Sequence, residues 1–135
     1  MPDDPNIRRV VVDHLAVRVR DLVASRRFYE AALAPLGFDL LHSDETQAGF
    51  GVAGRERSAH DFWILAGDGP APSIHVAFAA PNRESVDAFH RAALGAGGRD
   101  NGAPGLRPEY HPGYYAAFVL DPDGNNVEAV YHDRG

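Results

Sequence analysis

Glu128 is the residue in this chain that most needs an explanation. It lies in NVEAVYH, an otherwise largely apolar run that follows the turn sequence Asp121-Pro122-Asp123-Gly124. Asp first, Pro second and Gly fourth suit a type I turn, so Gly113–His132 reads as strand, turn, strand. Counting by twos puts Val127, Ala129 and Tyr131 on one face, and Asn126, Glu128, Val130 and His132 on the other. A carboxylate in such a run is expected to be paired or to hold a metal. Two histidines are candidates to meet it. His14 lies within the β-branched run VVVDHLAVRV, and His75 opens HVAFA. Alternation groups His14 with Ala16 and Arg18, opposite Leu15, Val17 and Val19. It groups His75 with Ala77 and Ala79, opposite Ile74, Val76, Phe78 and Ala80. Two imidazoles and one carboxylate facing one cavity make a 2-His-1-carboxylate donor set. Such a set suits one divalent ion (Fe, Mn, Ni, Co or Zn) and leaves positions open for water or substrate. The competing reading keeps both histidines as core residues bonded to backbone, and pairs Glu128 with an arginine such as Arg18. For any one residue alone that reading wins; for the three together, two at repeat-equivalent positions, the metal reading is favoured.

The elements that must position these groups are legible as a repeat. His14 and His75 are 61 residues apart, and at that spacing 14–37 aligns with 75–98 without a gap. Seven positions coincide, among them His14/His75, Ala16/Ala77, Phe28/Phe89 and Gly37/Gly98. Asp21 and Asn82 fall at the helix N-cap position in the two copies. A constant offset is the mark of duplication, here of a βαβββ unit. In the first unit the strands are read at 10–19, 38–42, 47–53 and 61–66, with the helix after Asp21 ending at Gly37. In the second, the later strands are read at 105–110, 114–120 and 126–131, with Arg99–Pro104 as a loop. Gly67–Ser73 is the Gly/Pro-rich linker between them. The fold class is therefore α+β: one domain over 9–135, with modules at about 9–67 and 73–133. The expected architecture is two tandem βαβββ modules in a curved, cup-like mixed sheet with helices outside.

Composition narrows the function classes. The chain has 135 residues and a net charge of −6, with basic and acidic residues interspersed. A nucleic-acid or membrane partner is not expected. Every basic residue is Arg, so a lysine Schiff base is excluded; with no cysteine, so are thiolate ligands and nucleophiles. The N-terminal MPDDPNIRR lacks the apolar stretch of a signal peptide, and a cytoplasmic location is expected.

The segments DHLAVRVRDLVASRRFYEAALAPLGF, HVAF and AAFVLDPDGNNVEAVY resemble the vicinal-oxygen-chelate superfamily. That group includes glyoxalase I, bleomycin- and fosfomycin-resistance proteins and extradiol dioxygenases. The resemblance spans roughly residues 10–132. It rests on the first-strand His14, the Phe28-Tyr29 pair and the DPDG turn followed by Glu128. It implies paired modules, a divalent metal on His14, His75 and Glu128, a homodimer, and a small substrate chelated through neighbouring oxygens. Departures narrow the reaction. Where glyoxalase I carries a second carboxylate in its first module, this chain has HDFWIL, with Trp63 as the counterpart of Glu128. The Lys, Arg and Ser cluster of fosfomycin transferases is missing apart from Arg107. RPEYHPGYYAAF offers Tyr110, His111, Tyr114 and Tyr115 in the region where extradiol dioxygenases place a His and a Tyr. Tyr115, His111 and Tyr110 are accordingly the expected proton donors and acceptors; an aromatic cavity rim is the plainer role for the same segment. The expected function is a metal-dependent enzyme, lyase/isomerase-like or dioxygenase-like. The alternative is a metal-free binding protein that sequesters a drug.

Overall fold

The computed structural model describes residues 14–54, 60–67 and 74–133. The N-terminal tail, most of the polar loop after Gly54 and nearly all of the Gly67–Ser73 linker lie outside the described residues.

Each half of the chain repeats one order of elements. The first has β1 (Leu15–Val19), α1 (Leu22–Leu33), β2 (Asp39–Ser43), β3 (Gln47–Gly51) and β4 (His60–Ala66). The second has β5 (His75–Ala79), α2 (Arg83–Gly95), β6 (Arg99–Leu106), β7 (Tyr114–Leu120) and β8 (Asn126–His132). Both helices start on the residues the sequence marks. The Asp21 carboxylate accepts from Ala24 N at 3.1 Å. Asn82 and Ser85 form a reciprocal capping box. The helix ends are out of step by one residue. Gly37 (φ 89°) and Gly97 (φ 99°) take the left-handed conformation, so Gly97, not the sequence-aligned Gly98, is the conformational partner of Gly37. The first module absorbs its extra residue in a 3-10 turn at Ala34–Leu36.

The eight strands form two four-stranded sheets, ordered β1-β4-β3-β2 and β5-β8-β7-β6, where the sequence suggested one continuous sheet. In each, the first strand runs parallel to the last and the other pairs are antiparallel. The registers match: Ala16 lies beside Trp63 in the first sheet, and Ala77 beside Glu128 in the second. Trp63 therefore occupies the position equivalent to Glu128.

β6 corrects the sequence reading. Arg99–Pro104 is strand, and 107–113 is mostly turn. Its composition (Asn, two Gly, Pro) spells a loop, but β6 is an edge strand with two register irregularities against β7. An edge tolerates the proline and bulges absorb the glycines.

Phe28, Tyr29, Ala32 and Leu33 of α1, Val86, Phe89 and Ala93 of α2, and the helix-facing sides of both sheets belong to one buried cluster. α1 packs directly on α2. Phe62 of the first sheet meets Phe78 of the second edge-on, with centroids 5.1 Å apart. Gly98 lies so near α1 that an added Cβ would stand 2.6 Å from Phe28 Cε1. The helix sides of the two sheets thus face a shared core, and each sheet turns its other face outward. On those open faces His14, Ala16 and Arg18, and His75, Ala77 and Ala79, are exposed, as alternation predicts.

Candidate functional site

The open face of the second sheet carries a compact polar group. β8 brings Glu128 to this face, and β7 pairs with β8 so that Phe118 lies opposite Glu128 and Tyr114 opposite His132. Glu128 is only 2% exposed, with both carboxylate oxygens engaged. Oε1 stands 2.9 Å from His75 Nε2, and Oε2 accepts a short hydrogen bond from the Tyr114 hydroxyl. Arg18, the arginine proposed to neutralise Glu128, belongs to the other sheet, where its side chain lies over Gly67. Tyr114 is held firmly protonated. Burial pushes its hydroxyl up first, then the hydrogen bond to Glu128 and the charge of that carboxylate.

His75 stacks on Phe118, with centroids 6.3 Å apart and planes 27° from parallel. The Arg107 guanidinium lies over the same ring, 5.4 Å from its centroid. Beside Tyr114, His111 and His132 face each other as a hydrogen-bonded pair at 2.9 Å. The backbone N–H of Gly113 donates to His111 Nδ1, so His111 Nε2 carries the hydrogen of the neutral ring and donates to His132 Nδ1.

The tyrosines of this segment separate by strand parity. Tyr110 is 63% exposed and packs on Tyr114 at 4.8 Å. Tyr115 points to the helix side, where its hydroxyl donates to Asp87 Oδ1 at 2.6 Å and Arg83 lies over its ring. Tyr114, and not Tyr115, is the tyrosine that touches Glu128.

His14 precedes β1 on the open face of the first sheet, and it does not join His75 and Glu128. Among the described residues no group of three His, Cys, Asp or Glu could hold a metal. Its face bears Trp63, with the His42 ring 5.7 Å away. Asp61 borders a small apolar cavity of about 50 Å³ with Phe38, Phe50, Phe62 and Phe78, and the side chain of His60 lies outside the described set. The pair that does form fits an ion. Ligand atoms about 2.1 Å from one metal stand about 3 Å apart at octahedral angles and about 3.4 Å apart at tetrahedral ones; the 2.9 Å between His75 Nε2 and Glu128 Oε1, a hydrogen-bonding distance, also matches the octahedral spacing.

The turn before Glu128 is fixed from the other module. The hydroxyl of Tyr29, on α1, donates to Asp121 Oδ2. Asp121 Oδ1 accepts the backbone N–H groups of Asp123 and Asn125. Asn125 Oδ1 in turn accepts from Ile74 N at the entrance to β5. One buried network therefore sets the register of β5 and β8, which carry His75 and Glu128. His90 is mostly covered and bonds Asp100 at 3.0 Å, tying α2 to β6.

The model of the glyoxalase/bleomycin resistance protein/dioxygenase superfamily matches residues 11–129. Solved structures share the fold. A glyoxalase/bleomycin resistance protein from Albidiferax ferrireducens T118 is 30% identical with a TM-score of 0.75, the match covering 90% of this chain and 98% of that one. A glyoxalase/bleomycin resistance protein/dioxygenase family enzyme from Burkholderia phytofirmans PsJN is 20% identical with a TM-score of 0.67, covering 92% and 100%. A glyoxalase-related enzyme from Fulvimarina pelagi is 16% identical with a TM-score of 0.66, covering 90% and 87%. None of the curated proteins matches the chain. No helix among the described residues is long and apolar enough to cross a membrane.

Proposed function

The chain belongs to the glyoxalase/bleomycin resistance protein/dioxygenase superfamily, and from that premise we propose a divalent-metal-dependent enzyme, lyase/isomerase-like or dioxygenase-like. Its substrate is a small molecule chelated through two neighbouring oxygens. The observation that carries the reading is the His75–Glu128 pair, at ligand spacing, with the carboxylate buried and its second oxygen oriented by Tyr114. His75 and Glu128 would hold the ion, and Tyr114 fixes the carboxylate from behind. When bound, the ion supplies Lewis-acid stabilisation to a substrate oxygen. His111 and Tyr110 lie around Tyr114 as proton carriers for the substrate. Tyr115 is engaged on the helix side and plays no part in this scheme.

The third ligand is His14, supplied by a second copy of the chain. The helix sides of both sheets are used up in one shared core, so the open faces cannot lie against each other within one chain. A twofold dimer that lays the first sheet of one chain over the second sheet of its partner brings His14 to His75 and Glu128 twice. The alanines beside the histidines (Ala16, Ala77, Ala79) leave room between the faces. Trp63 stands where a fourth ligand would come, so coordination positions stay open for substrate.

Titration of wild-type protein with Co(II) or Mn(II) tests the reading. The expected result is one ion per chain, with clear weakening in His14→Ala, His75→Ala and Glu128→Gln. Wild-type protein that takes up none of Fe(II), Mn, Ni, Co or Zn would overturn it and leave metal-free binding of a small molecule.

A further inference from the structure

Arg107 is placed with more care than a surface arginine needs. Its guanidinium folds back along β6, and Nη2 donates to the carbonyl of Ala103 at 2.7 Å. It occupies space that two glycines leave free. A Cβ at Gly102 would stand 3.3 Å from Nη2 and 2.9 Å from the Phe118 ring, and one at Gly105 would stand 3.2 Å from Nη1. Phe118 lies beneath the guanidinium, and the same ring carries His75. Phe118 is also the cross-strand neighbour of Glu128.

Arg107 has no carboxylate partner among the described residues, although the chain carries 19 acidic residues against 13 basic ones. Arg20 and Arg83, by contrast, pair with Asp123 and Asp133. A guanidinium offers five N–H donors in a planar fork that matches a carboxylate, and the hydrogen bond to Ala103 uses one of its two terminal nitrogens. The hydrogen bond to Ala103 and the contact with the Phe118 ring restrain the fork before any ligand arrives.

We propose that Arg107 is an anion-binding residue of this face, and that the substrate chelated at His75 and Glu128 carries a carboxylate beside its chelating oxygens. The second half of this statement rests on the metal reading above; the first does not. The ligand class is a small organic acid with two vicinal oxygens, such as a dihydroxybenzoate. Arg107 selects the acid over its neutral analogue and takes no part in bond breaking.

The test compares 2,3-dihydroxybenzoate with catechol, which shares the chelating oxygens and lacks the carboxylate. Affinities are measured calorimetrically on metal-free and Co(II)-loaded protein, and Co(II) uptake is measured separately without either probe. Wild type should bind the acid about tenfold tighter or more than catechol, the scale of a charge-assisted fork. Arg107→Gln should bring the ratio close to one, and Arg107→Lys should keep part of it. Co(II) uptake and the thermal midpoint should stay as in wild type, which shows the variants folded. Wild type that binds the acid no tighter than catechol, or not at all, overturns the proposal. So does an Arg107→Gln variant that keeps the preference. If wild type takes up no Co(II), the metal reading fails by itself, and the preference on metal-free protein still decides the role of Arg107.

Discussion

The arrangement around Glu128 turns on one hydroxyl. Both carboxylate oxygens are buried, and Tyr114 is the donor that reaches Oε2. Removing it leaves the shape of the ring but frees the carboxylate to rotate. Tyr114→Phe should therefore weaken Co(II) uptake by about tenfold to a hundredfold, the usual scale for losing a group that orients a ligand. Stability should fall too, by about 1.5–3 kcal/mol, because one oxygen of a buried carboxylate loses its donor. Unaltered metal affinity in this variant would mean that Glu128 is held by its packing alone. Position in a strand decides which tyrosine does this work. Leu120 pairs with Asn126 across the turn, so residues equally far from it meet: Phe118 with Glu128, and Tyr114 with His132. Tyr115, one step out of phase, is sent to Asp87 on the helix side.

At the level of elements, the β7–β8 turn and α1 are one clasp. Asp121 is 2% exposed and accepts from Tyr29, from Asn125 and from two backbone N–H groups. The Phe28-Tyr29 pair and the DPDG turn are far apart in sequence, and the structure gives the reason they belong together. Tyr29 holds its proton well above the ordinary value of 10, because burial, then the Asp121 charge and hydrogen bond, disfavour the phenolate. The folded state therefore binds this proton more tightly than the unfolded chain. The stability it confers is present below pH 10 and is lost as pH rises from 10 towards the folded value. Tyr29→Phe should cost about 1.5–3 kcal/mol at pH 7, the scale of a hydrogen bond to a charged group. The variant should also lose less stability than wild type between pH 9 and 11, all else in the chain being equal. Urea unfolding at the two ends of that range checks both statements; equal stability of the two proteins at pH 7 would remove Tyr29 from the clasp.

The whole molecule poses the question of how two outward faces make one site. A dimer that crosses first sheet on second predicts complementation. His14→Ala chains and Glu128→Gln chains each lack every site when alone. Mixed by unfolding and refolding together, they form heterodimers in which one site carries both lesions and the other carries none. Random pairing should return about a quarter of the wild-type sites, since half of the dimers are mixed and each has one intact site of two. Co(II) titration of the mixture reads this directly. Recovery of no sites would place all three ligands on one chain or show that the chains do not exchange. Sedimentation of wild type as a dimer at micromolar concentration checks the assembly, and co-purification of differently tagged chains from the refolded mixture separates these outcomes.

The sequence alone determined most of the local structure and the parity of the strands that carry His14, His75, Trp63 and Glu128. Helix caps, the type I turn and the Gly-terminated helices follow from short-range chemistry, and alternation follows from the pleat. Those sufficed to put His14, His75 and Glu128 on open faces and to align Trp63 with Glu128. Strand β6 escaped because edge pairing and bulges, not composition, make Arg99–Leu106 extended. The one-residue slip between Gly98 and Gly97 escaped because it depends on how tightly the last helical turn winds. The layer order was also beyond pattern reading. Periodicity names the buried side of each sheet, but which buried sides share a core depends on long-range contacts such as Phe62 with Phe78 and Tyr29 with Asp121. Only those contacts decide that His75 and Glu128 meet within a chain, and that His14 does not meet them there.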